Sequence, residues 1–207
     1  MSEAAEPENQ VARPAIPPEL AHRLVVVTGP SGAGKSTIVQ EVIRRSGAAF
    51  SVSATTRRPR PNERDGREYH FVGRDEFERM IAEGRMLEWA EVFGDYYGTP
   101  AGPVVEKLAA GRPVILEIDV QGGLQVAGKV PGATFVLILP PDLDELEARL
   151  TGRGTEEEAA LRRRLDKAAE EIETAEASGV YTEKVINDDL ERATRRVEAI
   201  VRETLKR

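Results

Sequence analysis

The stretch Gly29-Pro30-Ser31-Gly32-Ala33-Gly34-Lys35-Ser36 constrains the fold of this chain more than any other. It fits G-x-x-x-x-G-K-[ST]. The apolar run Leu24-Val25-Val26-Val27 leads into it, and Ile38, Val39, Val42 and Ile43 follow at helical spacing. Strand, glycine loop and helix in that order are the context this pattern requires. Glycines let the backbone curl until successive N–H groups converge on phosphate oxygens. The helix N-terminus adds partial positive charge. Lys35 would reach the terminal phosphates, and Ser36 would offer its hydroxyl to Mg²⁺. A nucleoside triphosphate is therefore expected on residues 29–36.

Beyond the loop the chain alternates strand and helix, the pattern of a mostly parallel sheet covered by helices. Val114-Ile115-Leu116-Glu117-Ile118-Asp119 reads as a buried strand ending in acid. Thr134 to Leu139 is another, stopped by Pro140-Pro141, and Lys184 to Asn187 is a short last strand. A terminal helix gathers Leu190, Val197, Ile200, Val201 and Leu205 on one face. Two stretches interrupt the alternation. One, about 51–109, is rich in Arg, Pro and Tyr, with a short helix from Asp75 in which Asp75 and Glu78 fit a capping box and Gly84 a stop. The other, about 144–178, is almost wholly helical and highly charged. Alone it would read as a solvated face, but behind a phosphate loop it suits a water-excluding lid.

Composition narrows the rest. A chain of 207 residues can bury one full core with insertions. A net charge of -7 argues against a general nucleic-acid binder. With no cysteine, disulfides, thiol chemistry and cysteine-bound metal are excluded. Residues 1–20 are Glu-, Ala- and Pro-rich and read as a disordered tail with no secretory core. No stretch is long and apolar enough for a membrane span, so a cytoplasmic location is expected. Periodicity does not separate an oligomer interface from core, which leaves oligomeric state open.

The chain resembles guanylate kinases, P-loop nucleoside monophosphate kinases, from about Arg23 to its C-terminus. The resemblance rests on the phosphate loop with Thr37, Ser51-Val52-Ser53-Ala54-Thr55-Thr56-Arg57, Arg58-Pro59-Arg60 and Gly66-Arg67-Glu68-Tyr69. Glu88-Trp89-Ala90, Tyr96-Tyr97-Gly98-Thr99, Ile118-Asp119-Val120-Gln121-Gly122, Gly152-Arg153-Gly154 and Val185-Ile186-Asn187-Asp188-Asp189-Leu190 continue it in order. It implies an α/β fold: a P-loop NTPase-type parallel sheet core with helices on both faces, an inserted monophosphate-binding region and a helical lid. The expected boundaries are core at 21–50, 110–143 and 179–207, GMP-binding region at 51–109, and lid at 144–178.

The same resemblance implies Mg²⁺-dependent transfer of a phosphoryl group from ATP to GMP. Glu88 would accept from N1–H and the 2-amino group of guanine, two donors that adenine cannot present together. Ser53 and Thr99 would donate to O6; many relatives have serine at position 99. Arg57 and Arg60, with Tyr69 and Tyr97, would hold the GMP phosphate. Gly29, Pro30, Ser31, Gly32, Ala33, Gly34, Lys35, Ser36 and Thr37 would cradle the ATP phosphates, and Asn187 would help frame the adenine. Arg149, Arg153 and Arg164 match the lid arginines that would join Lys35 in catalysis. Asp119 would lie near both guanosine and metal. Glu117, where several relatives have aspartate, either acts on the metal through water or balances nearby arginines.

Three rival readings compete with this one. Another small-molecule kinase on the same scaffold would need no guanine readout, which the trio of Ser53, Glu88 and Thr99 disfavours. A non-enzymatic peptide-binding domain of the same shape would tolerate a degraded phosphate loop, whereas Lys35 and Ser36 are intact here. A regulatory GTPase would carry an N-K-x-D signature, which this chain lacks.

Overall fold

The apolar run ahead of the glycine loop is the central strand of the main sheet. In the computed structural model, which describes residues 16–151 and 158–206, α1 (Pro18–Ala21) leads into β1 (Leu24–Thr28). The loop then opens α2 (Lys35–Ser46), followed by β2 (Ala49–Phe50), β3 (Ala54–Thr55), β4 (His70–Phe71) and α3 (Arg74–Ala82). Next come β5 (Met86–Val92), β6 (Asp95–Pro100), α4 (Ala101–Ala109), β7 (Val114–Glu117), α5 (Val120–Lys129) and β8 (Thr134–Leu139). The chain closes with α6 (Leu143–Thr151), α7 (Glu158–Ala177), β9 (Glu183–Ile186) and α8 (Leu190–Glu203).

The main sheet runs β2-β7-β1-β8-β9, every neighbouring pair parallel. Because strand side chains alternate, Leu24 and Val26 enter the apolar cluster with Val104, Leu108 and Val126 of α4 and α5. Val25 and Val27 face the opposite cluster, with Ile38 and Val42 of α2 and Val197 and Val201 of α8. Both faces are thus buried, which is why the strand reads as an unbroken apolar run. Full burial of each such side chain contributes roughly 1.5–3 kcal/mol.

A smaller sheet, β4-β3-β6-β5, covers the Arg- and Tyr-rich stretch. It is held by Phe77 and Met80 of α3 packed on Ala54 and Met86. The charged helices α6 and α7 bury Leu146, Leu150 and Ala168 as a satellite cluster, and Ala175 of α7 joins the main core. Among the described residues no helix is long and apolar enough to cross a membrane.

Three local expectations are corrected. Ile16 is 2% exposed and joins the core cluster beside α1, so ordered packing reaches into the stretch read as tail. Asp75 and Glu78 form no capping box: Gly73 caps α3 without a side-chain bond, and Glu78 pairs with Arg74 instead. Gly84 does stop the helix, with its own N–H on Ile81 O and the Arg85 N–H on Met80 O, a Schellman closure at φ +66°. Leu190 at the start of α8 and Leu205 just beyond its end are about half exposed at 46% and 49%, and Ala193 and Thr194 complete the buried face of the helix.

Candidate active site

Every residue expected to hold the triphosphate lies at the C-terminal edge of the parallel sheet, where open α/β sheets form their crevices. The loop leaves β1 between β7 and β8. Gly29 has φ +144°, and a Cβ there would fall 2.1 Å from Ile138 O on the adjacent strand. Gly34 caps α2 at φ +89°, where a Cβ would meet Asn187 Nδ2 at 2.3 Å. Only glycine satisfies both the backbone and the space at these two points. Lys35, the first residue of α2, curls back to donate to Gly29 O at 2.6 Å and Pro30 O at 2.9 Å. Burial lowers its pKa, while Glu117, Glu171 and Asp119 oppose the shift.

Ser36 donates to Glu117 Oε1 at 2.5 Å, so a hydroxyl from the helix start and a carboxylate from the end of β7 converge beside Lys35. Asp119 caps α5 by accepting from the Gly122 N–H at 2.7 Å. Glu171 on α7 joins this neighbourhood, and no sequence motif had singled it out. Burial raises its pKa, with Lys35 acting against the rise and Asp119 adding to it. Among the described residues no three acidic or histidine side chains gather tightly enough to hold a metal alone.

The Asn187 side chain is buried and donates from Nδ2 to Ala33 O at 2.8 Å, so it props the glycine loop. The Asn187 backbone carbonyl accepts from Arg149 Nη2 at 2.9 Å, and Arg149 also pairs with Glu145 at 2.8 Å. Arg164 reaches Ser31 Oγ at 3.2 Å, so α7 touches the loop directly. Arg153, with Gly152 and Gly154, lies outside the described residues.

The second half of the site is a cavity of about 280 Å³ lined by Ser53, Tyr69, Glu88, Tyr97 and Asp119 among others. Strand register builds it: Glu88 on β5 stands opposite Thr99 on β6, which puts both side chains on one face. Thr99 Oγ1 donates to Glu88 Oε1 at 2.6 Å. In this arrangement the Thr99 hydroxyl anchors the carboxylate. Glu88 is 8% exposed, and its pKa is pushed up to about 7, chiefly by burial, with Thr99 and Lys129 opposing and Asp119 adding. A wider hollow of 560 Å³, also in the smaller sheet, is lined mainly by apolar residues such as Ala54, Met80 and Pro103. It is roomier than the Glu88 cavity, but the convergent polar groups are around Glu88.

Arg57 arrives at the cavity already oriented. Glu63 accepts from it at 2.9 Å, Arg58 O accepts at 2.8 Å, and the guanidinium lies 5.6 Å from the Tyr69 ring centroid. Glu63, and then Tyr97, hold its pKa above the usual arginine value. Tyr69 and Tyr97 meet edge-on at 5.9 Å. The Arg60 N–H donates to the other Glu63 oxygen at 2.8 Å, while its side chain stays exposed. Glu63 was missed from sequence, because nothing in local spacing marks a carboxylate as the brace of an arginine six residues earlier.

The guanylate kinase family model matches residues 21–204. A guanylate kinase of Gloeobacter violaceus is 50% identical over 184 residues, covering 88% of each chain. One from Synechococcus elongatus is 48% identical over 86% of this chain and 97% of its own. The crystal structure of the Anaplasma phagocytophilum guanylate kinase superposes with a TM-score of 0.66 at 30% identity, over 89% of this chain and 86% of that one. Matches of this extent, on a P-loop core with a second polar cavity facing its crevice, place the chain in the guanylate kinase family.

Proposed function

We propose that this chain transfers the γ-phosphoryl group of ATP to GMP, with the phosphate loop holding the donor and the Glu88 cavity selecting the acceptor. Family membership supports the reaction: the protein is a nucleoside monophosphate kinase, an ATP:GMP phosphotransferase. The observation that carries the residue-level reading is the buried Glu88 carboxylate, anchored by Thr99 and lining a cavity it shares with Ser53, Tyr69, Tyr97 and Asp119. Ionised, it can accept from guanine N1–H and N2–H together. AMP would leave buried polar groups unpaired. Asp119 and Ser53 border the same cavity and complete the readout. Arg57, braced by Glu63, takes the GMP phosphate with Tyr69 and Tyr97, and Arg60 joins from the rim.

On the donor side, Lys35 turns from its loop carbonyls to the β/γ-phosphates. Arg149, Arg153 and Arg164 bring positive charge from the lid to the transferring group. The attacking GMP oxygen is already anionic, so alignment and charge stabilisation carry the catalysis without a general base. Ser36 and Glu117 are suited to Mg²⁺, the hydroxyl directly and the carboxylate through water, with Asp119 beside them. The remaining positions would go to water and phosphate oxygens, as this ion prefers. When bound, the ion supplies further charge neutralisation to the phosphates. Asn187 serves by holding the loop.

Residues 21–50, 110–143 and 179–207 then act as core, 51–109 as acceptor-binding region and 144–178 as lid. A coupled assay for ADP with GMP, AMP, UMP and CMP as acceptors tests the reading. Strong preference for GMP is expected, and equal rates with GMP and AMP would overturn it.

A further inference from the structure

Glu88 sits on β5, the edge strand of the smaller sheet, so one row of its backbone groups faces away from β6 without a strand partner. Such groups must be satisfied by something else or by water. At Trp89, the residue next to Glu88, that partner is the Gln125 side chain of α5. Trp89 N–H donates to Gln125 Oε1 at 3.1 Å, and Gln125 Nε2 donates to Trp89 O at 2.9 Å. A single amide thus does what one residue of a neighbouring strand would do.

The other side of Glu88 is tied to the same helix. The β5–β6 register shifts between Met86 and Glu88, an irregularity that re-aims the following side chain. Lys129 Nζ accordingly reaches Met86 O at 2.9 Å. One turn before Gln125, a Cβ on Gly122 would fall 3.1 Å from Glu88 Oε2, so the helix backbone passes close to the carboxylate itself. The cap of that helix is Asp119, which lines the Glu88 cavity. Asp119, Gly122, Gln125 and Lys129 recur at helical spacing and form one face pressed on β5.

We infer that Gln125 is a positioning residue for acceptor recognition: its two bonds to Trp89 lock β5 against α5 and so set where the Glu88 carboxylate stands. The inference rests on the reading that Glu88 recognises guanine. It assigns Gln125 no contact with substrate. Loss of the clamp lets the strand edge slide or admit water, and the carboxylate then meets N1 and N2 of guanine off its best geometry.

The test compares Gln125→Met, close in shape but unable to make either bond, with Gln125→Glu, which keeps the acceptor for the Trp89 N–H alone. Steady-state constants for GMP and AMP with saturating ATP, and for ATP with saturating GMP, are measured beside thermal melting and a Glu88→Gln control. Gln125→Met is expected to raise the GMP KM about tenfold and narrow the GMP/AMP preference, with the ATP KM unchanged. Gln125→Glu should fall between it and the parent. A Gln125→Met protein that melts earlier yet keeps parental KM and preference, while Glu88→Gln loses preference, would overturn the inference and leave the Glu88 reading intact. Unaltered preference in Glu88→Gln would remove both.

Discussion

Lowering the pH from 8 to 6 should weaken GMP binding through Glu88. Burial raises this carboxyl to about 7 from an ordinary 4.5, and the guanine-reading form is the ionised one. With a midpoint near 7, about nine-tenths of free enzyme is ionised at pH 8 and about one-tenth at pH 6. Apparent GMP affinity should therefore fall about tenfold from this group alone. The phosphate of GMP itself titrates near pH ~6, so the comparison must cancel it. Glu88→Gln provides that reference, because its amide does not titrate while the phosphate chemistry is unchanged. Calorimetric titration of both proteins at pH 6, 7 and 8 should show an extra tenfold loss in the parent. Equal pH dependence in the two proteins would refute the reasoning. The stability effect has the opposite sign. A folded-state value above the ordinary one gives a contribution that is full below pH ~4.5 and is lost as pH rises through ~7. Moving a carboxyl from 4.5 to about 7 corresponds to roughly 3 kcal/mol. The melting temperature of the ligand-free parent relative to Glu88→Gln should thus fall as pH rises across that window.

Lys35→Ala should abolish transfer while leaving the circular dichroism spectrum and melting intact; parental turnover would contradict its assignment. Gly34→Ala combines a φ of +89° with a Cβ 2.3 Å from Asn187 Nδ2. A loss of roughly 1–3 kcal/mol is expected by denaturant unfolding, together with weaker ATP binding. Glu63→Gln removes the half of a mostly buried ion pair that orients Arg57, both side chains being under a fifth exposed at 17% and 15%. Its GMP KM should rise about fivefold, with the ATP KM unchanged; an unchanged GMP KM would contradict the bracing role.

The donor half of the site was readable because its chemistry is local. Consecutive residues from Gly29 to Ser36 form the proposed phosphate cradle, and the strand and helix that frame it declare themselves by apolar spacing. The proposed acceptor half could be suggested only through resemblance, since Ser53, Glu88, Thr99 and Asp119 meet through sheet register and the α5 cap. What escaped were the partners that one side chain takes from another element. Asn187 props Ala33, Thr99 donates to Glu88, Glu63 braces Arg57, and Gln125 clamps Trp89. Polar side chains at ordinary helix or loop spacing carry no mark of such distant bonds. The capping box at Asp75 failed for a related reason: Arg74, one residue earlier, drew Glu78 into an ion pair. At the N-terminus, composition hid Ile16, a single apolar residue among polar neighbours that still found the core.

A crystal structure with GMP bound bears most directly on acceptor selection. The Glu88 carboxylate is expected within hydrogen-bond distance of both N1 and N2 of guanine, with the phosphate on Arg57 and the base inside the cavity bounded by Asp119. A base seated elsewhere, or a carboxylate turned from it while Thr99 stays bonded, would contradict the account.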